Sequence, residues 1–257
     1  MSKDNNMLNY QQISDKWLMR DRVDATISPS YIAKHLDNMA GLSKQRQNIA
    51  YKSWQDDGKF ACECDSVAML PLGNIVHYCV DYITKLIQEH GFTQTDELAR
   101  IVWGYVTSNY SFSHEEGEAI SHIVRRDDTT SQEVIKRTFA EALTNVLRVM
   151  EAFDFHTVLT EIKTKKATFN GHTYQGTIDI IERNDDGSYT LGDLKNYNGY
   201  SESDEQYWFN QLHIYAAILA SHGVNVTGLK VYNPATDMWH TRAVSTDYLL
   251  AWAERML

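Results

Sequence analysis

Two aspartates stand where aspartate is least expected. Asp179 lies inside the apolar run Gly176-Thr177-Ile178-Asp179-Ile180-Ile181, and Asp193 inside Leu191-Gly192-Asp193-Leu194-Lys195. Both runs read as strands, and strand interiors are poor in Asp. An unpaired carboxylate on a half-buried sheet is costly, and two close together repel. A divalent cation, which takes oxygen ligands, relieves both problems. Asp193 and Lys195 are two apart, so on a strand they project from the same face. One can hold a metal while the other positions or polarises water beside it. Metal as Lewis acid with lysine as electrostatic partner is chemistry suited to hydrolysing a phosphodiester. The same residues also read as a surface hairpin carrying an Asp–Lys ion pair.

The elements around this pair divide the chain near residue 156. Before it the pattern is helical. Ser28 can cap a helix with Pro29 at its first position, and Ile75, Val76, Cys79, Val80, Ile83, Leu86 and Ile87 form an apolar stripe over 72–87. Residues 96–109 and 131–153 also read as helices. After the divide, residues 158–164 favour a strand, Thr173–Ile181 alternates as another, Asn184-Asp185-Asp186-Gly187 is a turn, and Ser188–Leu194 is its partner. A helix over 205–221, a strand over 227–232, a hairpin-like piece and a helix over 246–256 follow. A single domain over 1–257 is expected: a flexible tail at 1–25, a mainly helical part at 26–155, and an αβ core at 156–257.

The composition suits a globular protein, with 43% hydrophobic and 23% charged residues and three prolines in 257 residues. A net charge of −10 argues against holding nucleic acid by bulk electrostatics. A carboxylate site filled by divalent cations is compatible with it. Cys62, Cys64 and Cys79 are the only cysteines. Their odd number and the lack of a secretory signal predict a reduced, cytoplasmic protein. They fall one short of the usual four metal ligands. No apolar run approaches the roughly 20 residues needed to span a bilayer.

Gly176-Thr177-Ile178-Asp179, a short hairpin, Gly192-Asp193-Leu194-Lys195 and then Gln211-Leu212-His213-Ile214-Tyr215 together resemble the PD-(D/E)xK nuclease superfamily, and within it the RecB-like exonuclease branch. Gly73-Asn74-Ile75-Val76-His77 resembles that branch's Gly-x-x-x-His on an early helix. Glu161 fits its acidic residue on the preceding strand, with Glu151 as the alternative. The resemblance implies an α/β restriction-endonuclease-like core, a mixed central sheet flanked by helices under a helical N-terminal layer. It departs from the branch at Leu194, where an aromatic is usual, and at Asn196, where Thr is commoner. Because no Cys follows Cys79, the four-cysteine iron–sulfur cluster of some relatives is not expected.

What the resemblance implies for the site is a centre for Mg²⁺ or Mn²⁺ held by His77, Asp179, Asp193 and the Leu194 backbone carbonyl. Glu161 would assist and Lys195 would align the attacking water. Gln211 and Tyr215, four apart and so on one helix face, are expected to face the site with Tyr215 near the phosphate and Gln211 orienting the strand or Lys195, or else to form a helix-capping or core pair. Asn196 and Tyr197 are further candidates for substrate contact. Tyr197, Tyr200, Tyr207 and Trp208 can stack on bases or pack at the base of a loop. Arg125-Arg126 and Lys163, Lys165 and Lys166 are the basic clusters available to a phosphate track or, equally, to a solvated face. The implied function is a metal-dependent deoxyribonuclease, an exonuclease in recombination, repair or phage DNA processing. The rivals are a structure-specific or nicking endonuclease, a non-catalytic DNA-binding or assembly subunit, and a hydrolase of small phosphates. A homo-oligomer or a recombination partner protein would add processivity, though no residue specifies one.

Overall fold

The computed structural model describes residues 26–27, 67–169, 172–197 and 202–245. The expected tail at 1–25, the helix start at Ser28-Pro29, Cys62, Cys64, Tyr200 and the helix over 246–256 lie outside the described residues.

Among the described residues four helices precede the main sheet: α1 Met69–His90, α2 Asp96–Asn109, α3 His114–Asp127 and α4 Ser131–Ala152. In α1 the apolar stripe from Leu72 to Ile87 is buried along one face. The helix stops at Gly91, whose left-handed φ of 70° lets the Gly91 and Phe92 N–H groups close on the Ile87 and Leu86 carbonyls. Side chains cap the next three helices. Thr95 accepts from the Leu98 N–H, while Ser113 with Glu116 and Thr130 with Glu133 form reciprocal capping boxes. The spacing predicts α1, α2 and α4 within a few residues of their bounds. Helix α3 was not foreseen, because it buries only Glu116, Ile120 and Ile123 and so carries little apolar pattern.

The main sheet has the order β2 (Leu159–Lys163), β5 (Thr177–Arg183), β6 (Tyr189–Leu194), β7 (Val226–Asn233) and β8 (Met238–Ala243). Within this sheet only β6 and β7 pair in parallel, and helix α5 (Glu202–Ala220) joins them, as a parallel pair requires. The sheet is therefore mixed. One face packs Leu191, Leu229 and Val231 against Phe209, Leu212 and Ile218 of α5. The other packs Ile180, Leu194 and Tyr232 against Leu72, Ile75, Val146 and Phe153 of the helical layer. The mixed central sheet flanked by helices expected from the sequence is what the chain adopts.

One expectation is corrected. The alternation over Thr173–Ile181 is two strands, not one. Strand β4 (His172–Tyr174) pairs with β1 (Thr26–Ile27) and β3 (Ala167–Phe169) in a small second sheet, and β5 begins at Thr177 in the main one. The change of sheet occurs at Gln175 and Gly176, which bond to the Thr164 carbonyl and hydroxyl. No helix among the described residues is long and apolar enough to cross a membrane.

Candidate metal centre

Register sets three carboxylates at one level of the sheet. Thr160 faces Ile180 and Ile162 faces Ile178, so Glu161 falls opposite Asp179. Ile180 faces Gly192, so the next step brings Asp179 opposite Asp193. A Cβ on Gly192 would stand 3.1 Å from that of Ile180, and its absence lets β5 and β6 approach closely beside the two aspartates. Glu161 adopts a left-handed backbone, φ 50°, in the middle of a strand. That conformation costs a non-glycine residue about 1–3 kcal/mol and clusters at functional sites.

The turned Glu161 meets helix α1. Its Oε1 lies 2.9 Å from His77 Nδ1, while His77 Nε2 lies 3.8 Å from Asp179 Oδ2. Ligand atoms of His77, Glu161 and Asp179 all fall within 4.8 Å of one another. Asp179 Oδ2 also accepts the Leu194 N–H at 2.8 Å, which ties the carboxylate to the end of β6. Burial disfavours the charged imidazole, but Asp179 and Glu161 outweigh it and lift the His77 pKa from 6.5 to about 9.

Asp193 is buried at 3% exposure and faces Lys195, with Nζ 3.1 Å from Oδ1 and 2.8 Å from Oδ2. Burial raises the Asp193 carboxyl from 3.8 to about 6 against the pull of the Lys195 ammonium. Burial likewise works against the Lys195 charge, yet Asp193 and Asp179 hold its pKa above the ordinary lysine range. Despite the nearby ammonium, Asp193 Oδ2 is a buried oxygen without a well-aligned hydrogen bond. Once His77 gives up its proton, as a metal ligand must, three carboxylates against one ammonium leave two negative charges, three minus one. That donor set of oxygens and one imidazole suits a hard divalent cation.

The structure thus gathers His77, Glu161 and Asp179 into one cluster, with Asp193 and Lys195 adjoining as a pair. Glu151 is exposed at the end of α4, outside the cluster. Leu194 buries its side chain in the helical-side core and gives its N–H to Asp179. Tyr215 is buried on α5. Burial pushes its pKa up to about 12, with Gln211 hydrogen-bonded to it and Asp179, Asp193 and Lys195 close enough to act on its charge. His213, on another face of α5, has Nδ1 2.7 Å from the Phe209 carbonyl and accepts the Ser245 N–H at its Nε2.

Asn196 and Tyr197 have partners within the chain. Asn196 Oδ1 accepts from Asn145 of α4 at 2.9 Å, and its amide nitrogen lies 3.7 Å from where a Gly73 Cβ would be. The Tyr197 ring stacks on Trp208 at 4.7 Å, and its hydroxyl lies 2.8 Å from His240 Nε2. Asn145 is the residue that sequence reasoning passed over. It is fully buried among Ala142, Val146 and Val149, and a polar side chain inside that stripe is the signal that could have found it.

A family model described as the PD-(D/E)XK nuclease superfamily matches residues 62–249. A solved structure titled "Crystal structure of SSO0001" is 17% identical, with a TM-score of 0.29, over 51% of this chain and 66% of that one. No curated protein matches.

Proposed function

The chain belongs to the PD-(D/E)XK nuclease superfamily, and from that premise we propose that it hydrolyses DNA phosphodiester bonds with Mg²⁺ or Mn²⁺, as an exonuclease in recombination, repair or phage DNA processing. The observation that carries the reading is the row Glu161–Asp179–Asp193 flanked by His77 and Lys195.

In this reading His77 through Nε2, Asp179, Asp193 and the Leu194 carbonyl would hold the cation. Glu161 assists by accepting the Nδ1 proton, which fixes the tautomer that leaves Nε2 free as a ligand. The bound cation supplies Lewis-acid chemistry at the phosphate. Lys195 stays an ammonium, so it donates hydrogen bonds rather than taking a proton. It aligns the attacking water and stabilises negative charge growing on the phosphate oxygens. Tyr215 stays a neutral phenol able to donate to the phosphate, with Gln211 fixing it. Asn196, held by Asn145, and Tyr197, held by Trp208 and His240, are positioned next to Lys195 for contact with the substrate.

The test is a time course on end-labelled linear and closed circular DNA with Mn²⁺, for the wild type and Asp193→Ala. End-dependent loss of label from the linear substrate alone supports the exonuclease. Nicking of the circle moves the assignment to an endonuclease. Cleavage retained by Asp193→Ala overturns the site.

A further inference from the structure

Three lysines follow Glu161 closely: Lys163 ends β2, and Lys165 and Lys166 open the connection to β3. All are exposed, and among the described residues none pairs with a carboxylate. Several other cations of the fold are engaged. Lys85 pairs with Asp81, Lys195 with Asp193, Lys230 with Glu182 and Arg242 with Glu205. In a chain of net charge −10, three neighbouring ammonium groups with no counter-charge among the described residues are a positive patch.

The patch is presented rigidly. Thr164, between the lysines, is buried. Its N–H donates to the Gly176 carbonyl at 2.8 Å, its hydroxyl accepts the Gly176 N–H at 3.1 Å, and its carbonyl accepts from Gln175 at 2.8 Å. A pinned backbone lowers the ordering cost of binding. Topology also aims the patch. Strands β2 and β6 both run antiparallel to β5, so they leave the sheet in the same direction. Glu161 and Asp193 share a level, and from that level β6 leads to Lys195 while β2 leads to Lys163, Lys165 and Lys166. The last of these is five residues past Glu161, at most about 18 Å along an extended chain.

We propose that Lys163, Lys165 and Lys166 form a track for the phosphodiester backbone of the DNA beyond the bond being cleaved. The track rests on the nuclease reading above and adds to it where the substrate lies. Ammonium groups spaced along a fixed segment match a phosphate backbone by charge and carry no base readout. They also account for how an acidic protein keeps hold of an acidic polymer.

The test is fluorescence anisotropy of a labelled 30-base-pair duplex across a salt series, with Ca²⁺ in place of Mg²⁺ to suppress cleavage. The wild type is compared with the double variants Lys165→Glu/Lys166→Glu and Lys165→Arg/Lys166→Arg. Loss of two phosphate contacts should flatten the slope of log Kd against log salt by about 2 and weaken binding at least about tenfold at low salt. The arginine variant should restore wild-type behaviour. Equal affinity and slope for wild type and the glutamate variant would overturn the track. Cleavage by the wild type in Mn²⁺ is scored separately. A wild type that binds through these lysines but cuts nothing sinks the nuclease reading and leaves the track standing.

Discussion

His77 and Glu161 meet across the boundary between the helical layer and the sheet, with Nδ1 2.9 Å from Oε1. His77 reaches this point from a regular helix, while Glu161 departs from regular strand geometry. Helix α1 brings the ring through Val76 and Val80, which anchor that side of the helix in the core, and strand β2 brings the carboxylate through the left-handed turn at Glu161. The contact sets how the site handles protons.

With a pKa of about 9, His77 is an imidazolium at pH 7.5, and an imidazolium cannot ligate a metal. Asp193, at about 6, is already mostly ionised there. Metal binding at pH 7.5 should therefore release close to one proton. Calorimetric titration of Mn²⁺ in two buffers of different ionisation heat reads that number directly. Apparent affinity should rise about tenfold per pH unit and level off above pH 9. Absence of proton release would remove His77 from the ligand set.

The left-handed backbone at Glu161 separates ligand loss from strain. Replacing it with Ala removes the carboxylate and keeps the Cβ that the conformation disfavours, whereas Gly removes both. Glu161→Gly should then be more stable than Glu161→Ala by about 1 kcal/mol in urea unfolding. Both should lose metal affinity about 10–100-fold, the usual cost of removing a group that orients a ligating histidine. Equal stability of the two variants would mean that the backbone at Glu161 is not strained.

Asp193→Asn keeps the shape of the side chain and removes the charge that faces Lys195. Cleavage should fall by about 10³-fold or more, the scale on which an electrostatic group at the reacting centre contributes, with the circular dichroism spectrum unchanged. Lys195→Arg should not rescue function, since the planar guanidinium cannot reproduce a compact ammonium between Asp193 and Asp179. Residual activity within tenfold of wild type in Asp193→Asn would separate this carboxylate from catalysis.

Much of this centre was readable beforehand because its residues violate local rules. Asp179 and Asp193 are awkward in apolar strands, and that awkwardness marks them without any tertiary information. What the chain concealed depends on contacts between distant segments. The alternation over 173–181 continues smoothly while the strand leaves one sheet for another, since period-two patterning records burial and not which sheet does the burying. Tyr197 reads equally as a base-stacking or a packed aromatic until Trp208 of α5 covers one face. Asn145 reads as one polar residue in a helix until Asn196, 51 positions later, becomes its partner. The left-handed turn at Glu161 has no glycine to announce it.

Helix α3, the least apolar of the described helices before the sheet, bonds to α1 through one carboxylate, whose protonation should be visible in a pH series. Glu116 is 2% exposed and accepts from Asn74 at 2.8 Å, the Tyr110 hydroxyl at 2.6 Å and the Ser113 N–H at 2.7 Å. Burial pushes its pKa up, but these hydrogen bonds outweigh it and hold the pKa below the ordinary 4.5. A carboxyl depressed in the fold contributes stability above its unfolded pKa and loses it as pH falls through the folded value. Glu116→Gln should therefore cost about 1–3 kcal/mol at pH 7, the range for a buried charged hydrogen-bonding group. The gap between variant and wild type should close as pH drops from 5 to below the depressed pKa. Urea unfolding at pH 7, 5 and 3 measures both quantities. A gap that stays constant over that range would mean that the ionised form of Glu116 does not hold α3 to α1.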